Sequence, residues 1–217
     1  MSLKKIVIVG TGGLGREVLM LLHQINQASA QWEITGFYDD AEPSQKLISG
    51  YPYLGTVQDL NNVPFPVYVA LGIGNCAAKA EVVKRLFNPL LQFPVLLHPS
   101  VANQNFQGNT LGKGTIISQN CILTTHVTLG QFVLLNLACT IGHDAILHDF
   151  CSLMPQVAVS GGVTLGKGVY GGTNSTILQN RSVGTFTTIG AGAVVTQDLP
   201  SYCTAVGVPA RVISQSA

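Results

Sequence analysis

The chain is short of charge. Of its 217 residues, 11 are Lys or Arg and 10 are Asp or Glu, so charged residues make up 10% and the formal net charge is +1. No basic run occurs, which excludes the electrostatic footprint of a nucleic-acid binder. The mean hydropathy is +0.37, yet no apolar run approaches the roughly 20 residues that span a bilayer. Membrane insertion is therefore not expected. Met1-Ser2-Leu3-Lys4-Lys5 runs straight into a strand-like segment, too short for a signal-peptide core and without a cleavage site. The 5 cysteines form no CxxC pair, so a reduced, cytoplasmic protein is predicted, with no disulfide framework. What is abundant instead is Gly, at 24 residues, in a chain 47% hydrophobic. Little charge with that much Gly and Val implies surface buried in an oligomer.

Ile6-Val7-Ile8-Val9 is a continuous β-branched run, as in a strand buried on both faces. It leads into Gly10-Thr11-Gly12-Gly13-Leu14-Gly15 and then a helical pattern from Arg16 to His23. Strand, glycine turn and helix are the context in which a GxGxxG pattern cradles phosphate on a helix N-terminus. A second strand over 34–38 ends at Asp39-Asp40, the place for an acid that grips a sugar hydroxyl. A third over 67–71 ends at Gly72-Ile73-Gly74-Asn75, before a second helix. A full dinucleotide domain needs more strands than residues 1–94 hold. The expectation is a Rossmann-like α/β domain with a half-sized pocket for a nucleotide-linked small molecule; the alternative is a tight turn with no ligand.

From Leu111 the chain changes character. Leu111, Leu129, Leu147, Leu165 and Val183 recur at a constant spacing of three hexads, as do Ile117, Leu135, Leu153, Gly171 and Ile189, and Leu123, Ile141, Val159, Ile177 and Val195. Hexads taken three to a turn predict a triangular parallel β-coil over 95–217, each turn stacked on the next at about 4.8 Å. Small residues two before each hexad position, Cys121, Cys139 and Cys151 among them, share the inward phase and are core rather than ligands. Spacing alone leaves the hand of the coil open.

In the middle of this repeat stands Thr140-Ile141-Gly142-His143-Asp144-Ala145-Ile146-Leu147-His148-Asp149, two histidines and two carboxylates in a chain poor in both. Ile141 and Leu147 point inward by phase, and His143 lies near a corner with its side chain outward. Gly161 follows one full turn later and stacks over it. A histidine beside a bare glycine N–H supplies the base and the oxyanion donor that acyl transfer from a thioester requires. Asp144 is placed to orient the imidazole.

The hexapeptide repeat, the Gly10–Arg16 opening, the Gly72–Asn75 turn, His98-Pro99-Ser100 and the closing Gly190–Val195 and Val206–Ala210 segments together resemble the NeuD-type bacterial sugar acetyltransferases. That resemblance covers nearly the whole chain. It implies a left-handed β-helix, a homotrimer and acetyl transfer from acetyl-CoA to amino or hydroxyl groups of sugars, often nucleotide-linked. His143 matches the general base and Asp144 its supporting acid, where relatives often have Glu. Gly161 matches the oxyanion N–H, and with Ser152, Thr173 and Ala191 it matches the acetyl-CoA groove. Gly12, Gly13, Leu14, Asp39, Asp40 and Gly74 match the nucleotide-sugar pocket. Some members that acetylate nucleotide amino sugars carry histidine where this chain has Leu14.

The reading adopted is N-acetylation of a nucleotide-linked amino sugar, with no metal required. O-acetylation of a sugar hydroxyl, as on sialic acid, is the alternative within the class. His143 and His148 also resemble the zinc pair of gamma-class carbonic anhydrases. His126, one position short of a full turn before His143 and so nearly stacked on it, would be the third ligand, but those enzymes lack a Rossmann-like N-terminal domain. A third class is a non-catalytic scaffold. His98 reads as a junction residue and His23 as a helix-surface one.

Overall fold

The computed structural model describes residues 3–103 and 105–215. Two compact units form, one from the residues up to Gly74 with Ala78–Leu96, the other from Asn75–Ala77 with the chain from Leu97 on.

The first unit is an α/β sheet. Its elements are β1 (Lys4–Val9), α1 (Gly13–Ala28), β2 (Trp32–Tyr38), β3 (Leu47–Ile48), β4 (Tyr51–Gly55), β5 (Val67–Leu71), α2 (Cys76–Arg85, all but its first two residues) and β6 (Leu91–Gln92). The strand order is β3-β4-β2-β1-β5-β6. β1 pairs in parallel with both β2 and β5, so it is central. Its Ile6, Val7, Ile8 and Val9 are buried, which is why that run shows no polar alternation. α1 buries Val18, Leu19, Leu21, Leu22 and Ile25 along one stripe. The antiparallel β3–β4 hairpin extends the sheet in a stretch to which the sequence analysis assigns no element. Its residues, Leu47-Ile48 and Tyr51-Pro52-Tyr53-Leu54-Gly55, form short strands whose sequence carries no polar–apolar alternation, although the burial of the second alternates along it.

The second unit is a parallel β-helix of two-residue strands. Its strands stack turn upon turn in register, as Thr140↔Ala158 and Ile141↔Val159 do, on three sheets of five, five and eight strands. Ladder bonds join successive coils, as from Gly142 N–H to the Val159 carbonyl at 2.8 Å. The predicted inward aliphatics from Ile117 to Val195 are buried, with Leu111 partly so at the open first coil. Cys121, Cys139 and Cys151 lie among them as free thiols.

The corners carry a rule not visible as a sequence motif. Every sixth residue from Gly108 to Gly192 has a left-handed φ, including His126, Phe132, Asp144, Phe150, Asn174 and Phe186. Such a backbone costs a non-glycine residue roughly 1–2 kcal/mol. Bonds between coils hold it in place, for example Asp144 N–H to Thr125 O at 3.1 Å and Phe150 N–H to Gln131 O at 2.8 Å. An antiparallel hairpin, Cys203–Val206 with Arg211–Gln215, closes the last coil. Among the described residues no helix is long and apolar enough to cross a membrane.

Candidate active site

His143 follows the strand Thr140–Ile141 and stands one residue before a corner. The corner residue is Asp144, at φ +59. The turned backbone brings its carboxylate to the neighbouring ring, with His143 Nδ1 2.8 Å from Asp144 Oδ2. Both side chains are well exposed, at 67% and 63%, so Coulomb attraction alone stabilises the pair little. The contact orients the ring instead. A neutral imidazole that donates Nδ1–H to the carboxylate presents a bare Nε2 as proton acceptor.

Gly161, one coil later, is the wall against which that ring rests. A Cβ on Gly161 would lie 2.6 Å from His143 Cε1 and 2.9 Å from Cδ2, with Nε2 closer still. Only glycine leaves the space. The coils are locked in register here, with Gly162 N–H donating to the His143 carbonyl at 2.8 Å and Asn180 N–H to the Gly161 carbonyl at 3.0 Å. The Gly161 N–H itself finds no acceptor among the described residues. An imidazole, the carboxylate bonded to it and an unused N–H donor thus share one corner across two coils.

The other residues matched to the acetyl-CoA groove lie elsewhere on the coil. Thr173 and Ala191 precede the corner at Asn174 and Gly192, not the one at Asp144 and Gly162. Ser152 is fully buried in its strand and offers a groove no surface in the isolated chain. His126 is not stacked on His143, as its near-turn spacing suggested. The coil repeats every three hexads, so Thr125 lies beneath His143, while the His126 ring covers Gly108, whose Cβ would fall 2.8 Å from Nδ1. Among the described residues no three His, Cys, Asp or Glu are grouped to hold a metal ion.

In the α/β unit the glycine motif divides into two kinds. Gly10 is at φ +109, and a Cβ there would meet Gly72 O at 2.7 Å. One on Gly72 would meet Gly15 Cα at 2.6 Å, and one on Gly15 would overlap the Gly10 carbonyl. These three are glycine because strand, helix and neighbouring loop cross at backbone contact. Gly12 and Gly13 have nothing within 4 Å of a Cβ. They are exposed at the start of α1, and no side chain caps that end. Close packing therefore does not account for them, and they leave backbone N–H groups open at a helix N-terminus.

The two acids after β2 are already bonded within the unit. Asp39 Oδ2 accepts from Thr11 N–H at 2.7 Å and Thr11 Oγ1 at 2.8 Å, tying β2 to the glycine loop. Asp40 receives the Arg85 guanidinium in a fork, at 2.6 and 3.1 Å. Arg85, with the Val57 N–H, holds the Asp40 carboxyl below the usual carboxylate range. Leu14 is half-buried in the first turn of α1, and Gly74 lies in the loop after β5. A hollow of about 340 Å³ beside Thr11 is lined also by Arg16, Ser44, Gln45 and Ser49. The sequence reading missed these; Arg16, in the first turn after the glycines, was the available signal.

Residues 5–86 match the PglD N-terminal domain family. Over 96% of both chains the sequence is 28% identical to the GDP-perosamine N-acetyltransferase of Escherichia coli. The acetyltransferase domain of PglB from Neisseria gonorrhoeae, solved in complex with acetyl coenzyme A, is 27% identical and superposes with a TM-score of 0.85, covering 98% of this chain and 100% of that one. A serine acetyltransferase of Synechococcus elongatus is 37% identical over 98 residues, a match that spans only 40% of that enzyme and 41% of this chain. Residues 5–86 thus carry the PglD-type N-terminal unit, and the chain as a whole, with its hexapeptide coil, is similar over nearly its full length to sugar acetyltransferases of the NeuD/PglD type.

Proposed function

We propose that the chain transfers the acetyl group of acetyl-CoA to the amino group of a nucleotide-linked amino sugar. The observation that carries this reading is the corner where His143, oriented by Asp144 at 2.8 Å, lies against Gly161. His143 Nε2 takes a proton from the acceptor amine as the nitrogen attacks the thioester carbonyl. The Gly161 N–H supports the oxyanion of the tetrahedral intermediate. Collapse of the intermediate expels the CoA thiolate, which regains a proton from the imidazolium. No covalent enzyme intermediate forms. Residues 1–94 serve as the sugar-nucleotide domain, with Gly12, Gly13 and the α1 N-terminus receiving phosphate, and 95–217 as the transferase domain. The full-length likeness to a GDP-perosamine N-acetyltransferase supports an N-linked acetyl on a nucleotide sugar.

The functional unit in this reading is a homotrimer. Thr173 and Ala191 lie on a different corner from His143, so a groove built from both needs a second copy. Ile122 and Ile146, on the two sheets that flank the His143 corner, are 57% and 39% exposed and give that copy apolar surface to cover. Five buried free thiols and use of acetyl-CoA fit a cytoplasmic location.

The test is to incubate the protein with acetyl-CoA and GDP-, dTDP- and UDP-linked 4-amino sugars, with CMP-sialic acid and free sialic acid as hydroxyl acceptors. Thiol release is followed together with product mass. Acetyl gain on an amino sugar is expected. Acetyl gain on sialic acid alone overturns the N-acetyl reading.

A further inference from the structure

On the sheet that carries Ile146–Leu147 the coil has a column of glycines at Gly112, Gly130, Gly166 and Gly184, broken once by His148. The glycines are explained by crowding. A Cβ would come within 2.6 Å of Asp149 N at Gly130, 2.7 Å of Thr185 N at Gly166 and 2.6 Å of Ser201 Cα at Gly184. Packing therefore favours glycine in this column, and His148 departs from it.

His148 opens onto a groove of about 590 Å³ that climbs this face past Thr164, Lys167, Ser182 and Thr185 to Ser201. Its walls hold charges of both signs, and each acid is hydrogen-bonded to the coil through one oxygen. Asp149 Oδ1 accepts the Gln131 N–H at 2.7 Å. Asp198 Oδ1 accepts the Ser182 N–H at 2.9 Å and lies 3.7 Å from Arg181. The Lys167 ammonium, by contrast, makes no ion pair among the described residues. It lies over the Phe150 ring, 5.5 Å from the centroid, which steers its stem without neutralising it. The His148 ring has no hydrogen bond among the described residues. Two uncommitted N–H donors, on adjacent coils and offset by a single position, stand beside threonine and serine hydroxyls and make an anion-recognising surface.

We infer that this groove binds a phosphate-bearing part of one of the two substrates, with Lys167 and His148 as its phosphate contacts. The inference rests on the acetyl-transfer reading above, in which both substrates carry phosphate: the adenosine bisphosphate end of acetyl-CoA and the diphosphate of the nucleotide sugar. The chemistry is the same for both sources, and the experiment separates them.

Binding of adenosine 3′,5′-bisphosphate, GDP and UDP is measured by calorimetry on the wild type and on Lys167→Ala, His148→Gly and Lys167→Arg. KM is then measured for acetyl-CoA and for the acceptor. Lys167→Ala is expected to weaken one ligand class by about tenfold, less at high salt, as for an exposed charge-assisted contact. Lys167→Arg should restore most of it. His148→Gly, which installs the residue of the other rungs, should weaken the same class. An effect on the bisphosphate and the KM of acetyl-CoA assigns the groove to the donor; an effect on the nucleotide diphosphates and the acceptor KM assigns it to the acceptor. If Lys167→Ala with His148→Gly changes neither, the inference is overturned while turnover leaves the acetyl-transfer reading standing. Lys167-dependent binding without any acetyl transfer would overturn that reading and leave the phosphate site.

Discussion

The His143 imidazole occupies the space that a side chain on Gly161 would need, with a Cβ there only 2.6 Å from Cε1. The ring is bonded through Nδ1 to Asp144 and rests against a residue that has no side chain. Catalysis in this account depends on that placement, and the consequences can be measured.

Gly161→Ala should push the imidazole off its seat. Displacement of about 1 Å costs on the order of 100-fold in rate when a reacting group is mispositioned. The corner is at the surface and its backbone bonds remain, so the thermal midpoint should move by a few degrees at most. Steady-state kinetics with a melting curve checks both. Normal turnover in this variant would show that the ring has no need of the glycine.

Asp144→Asn keeps a residue that tolerates a left-handed backbone but removes the carboxylate that faces Nδ1. The expected result is an unchanged fold with kcat lower by about 10- to 100-fold, less than in a buried triad because this pair is exposed. Asp144→Val should behave differently, also losing roughly 1–2 kcal/mol of stability to backbone strain at φ +59. Chemical denaturation of the two variants side by side separates orientation from strain.

The glycine loop predicts a contrast between neighbours. A Cβ on Gly15 would strike the Gly10 carbonyl, so Gly15→Ala should destabilise by about 1–3 kcal/mol or more. One on Gly13 meets nothing within 4 Å, so Gly13→Ala should fold normally. It should still raise KM for the nucleotide sugar by about tenfold, because an added methyl stands where a ligand must approach the backbone. Calorimetric binding of the acceptor to the two variants distinguishes the cases.

His98 makes stability depend on pH. It is buried at the entry to the coil, where Nδ1 accepts the Ser100 N–H at 3.0 Å, and burial lowers its pKa from the ordinary 6.5. Below pH 6.5 the unfolded chain binds a proton that the folded chain resists. Stability from this residue is therefore fully present above 6.5 and is lost as pH falls through the lower folded value. Melting curves from pH 7.5 to 5 should fall in the wild type, and His98→Gln should flatten part of that fall.

The coil was legible in the sequence because its axis admits only small or aliphatic side chains, so Leu129, Leu147 and Leu165 announce the turn length. The corners were not, since His, Asp, Phe, Ala, Gln and Asn all occupy left-handed positions held by bonds from another coil. That hidden geometry is what brings Asp144 to His143, whereas the displacement of His126 from beneath His143 follows from the repeat length alone, since Thr125 is the residue one full turn earlier. In the α/β unit the glycines gave away the turn between β1 and α1. The partner of Asp40, Arg85, is far along the chain and carried no local signal. Gly12 and Gly13 could be told from Gly10 and Gly15 only once the backbone crossings were seen.

The central claim is that His143 is the base for acetyl transfer to a sugar amine. Its most direct test compares wild type and His143→Ala with acetyl-CoA and a nucleotide-linked 4-amino sugar, following thiol release and N-acetyl product, with acetyl-CoA binding measured separately. The wild type should form product in step with thiol. His143→Ala should bind acetyl-CoA as before and lose turnover by about 10²- to 10⁴-fold, the range for removal of a general base. Wild-type turnover by His143→Ala would contradict the account.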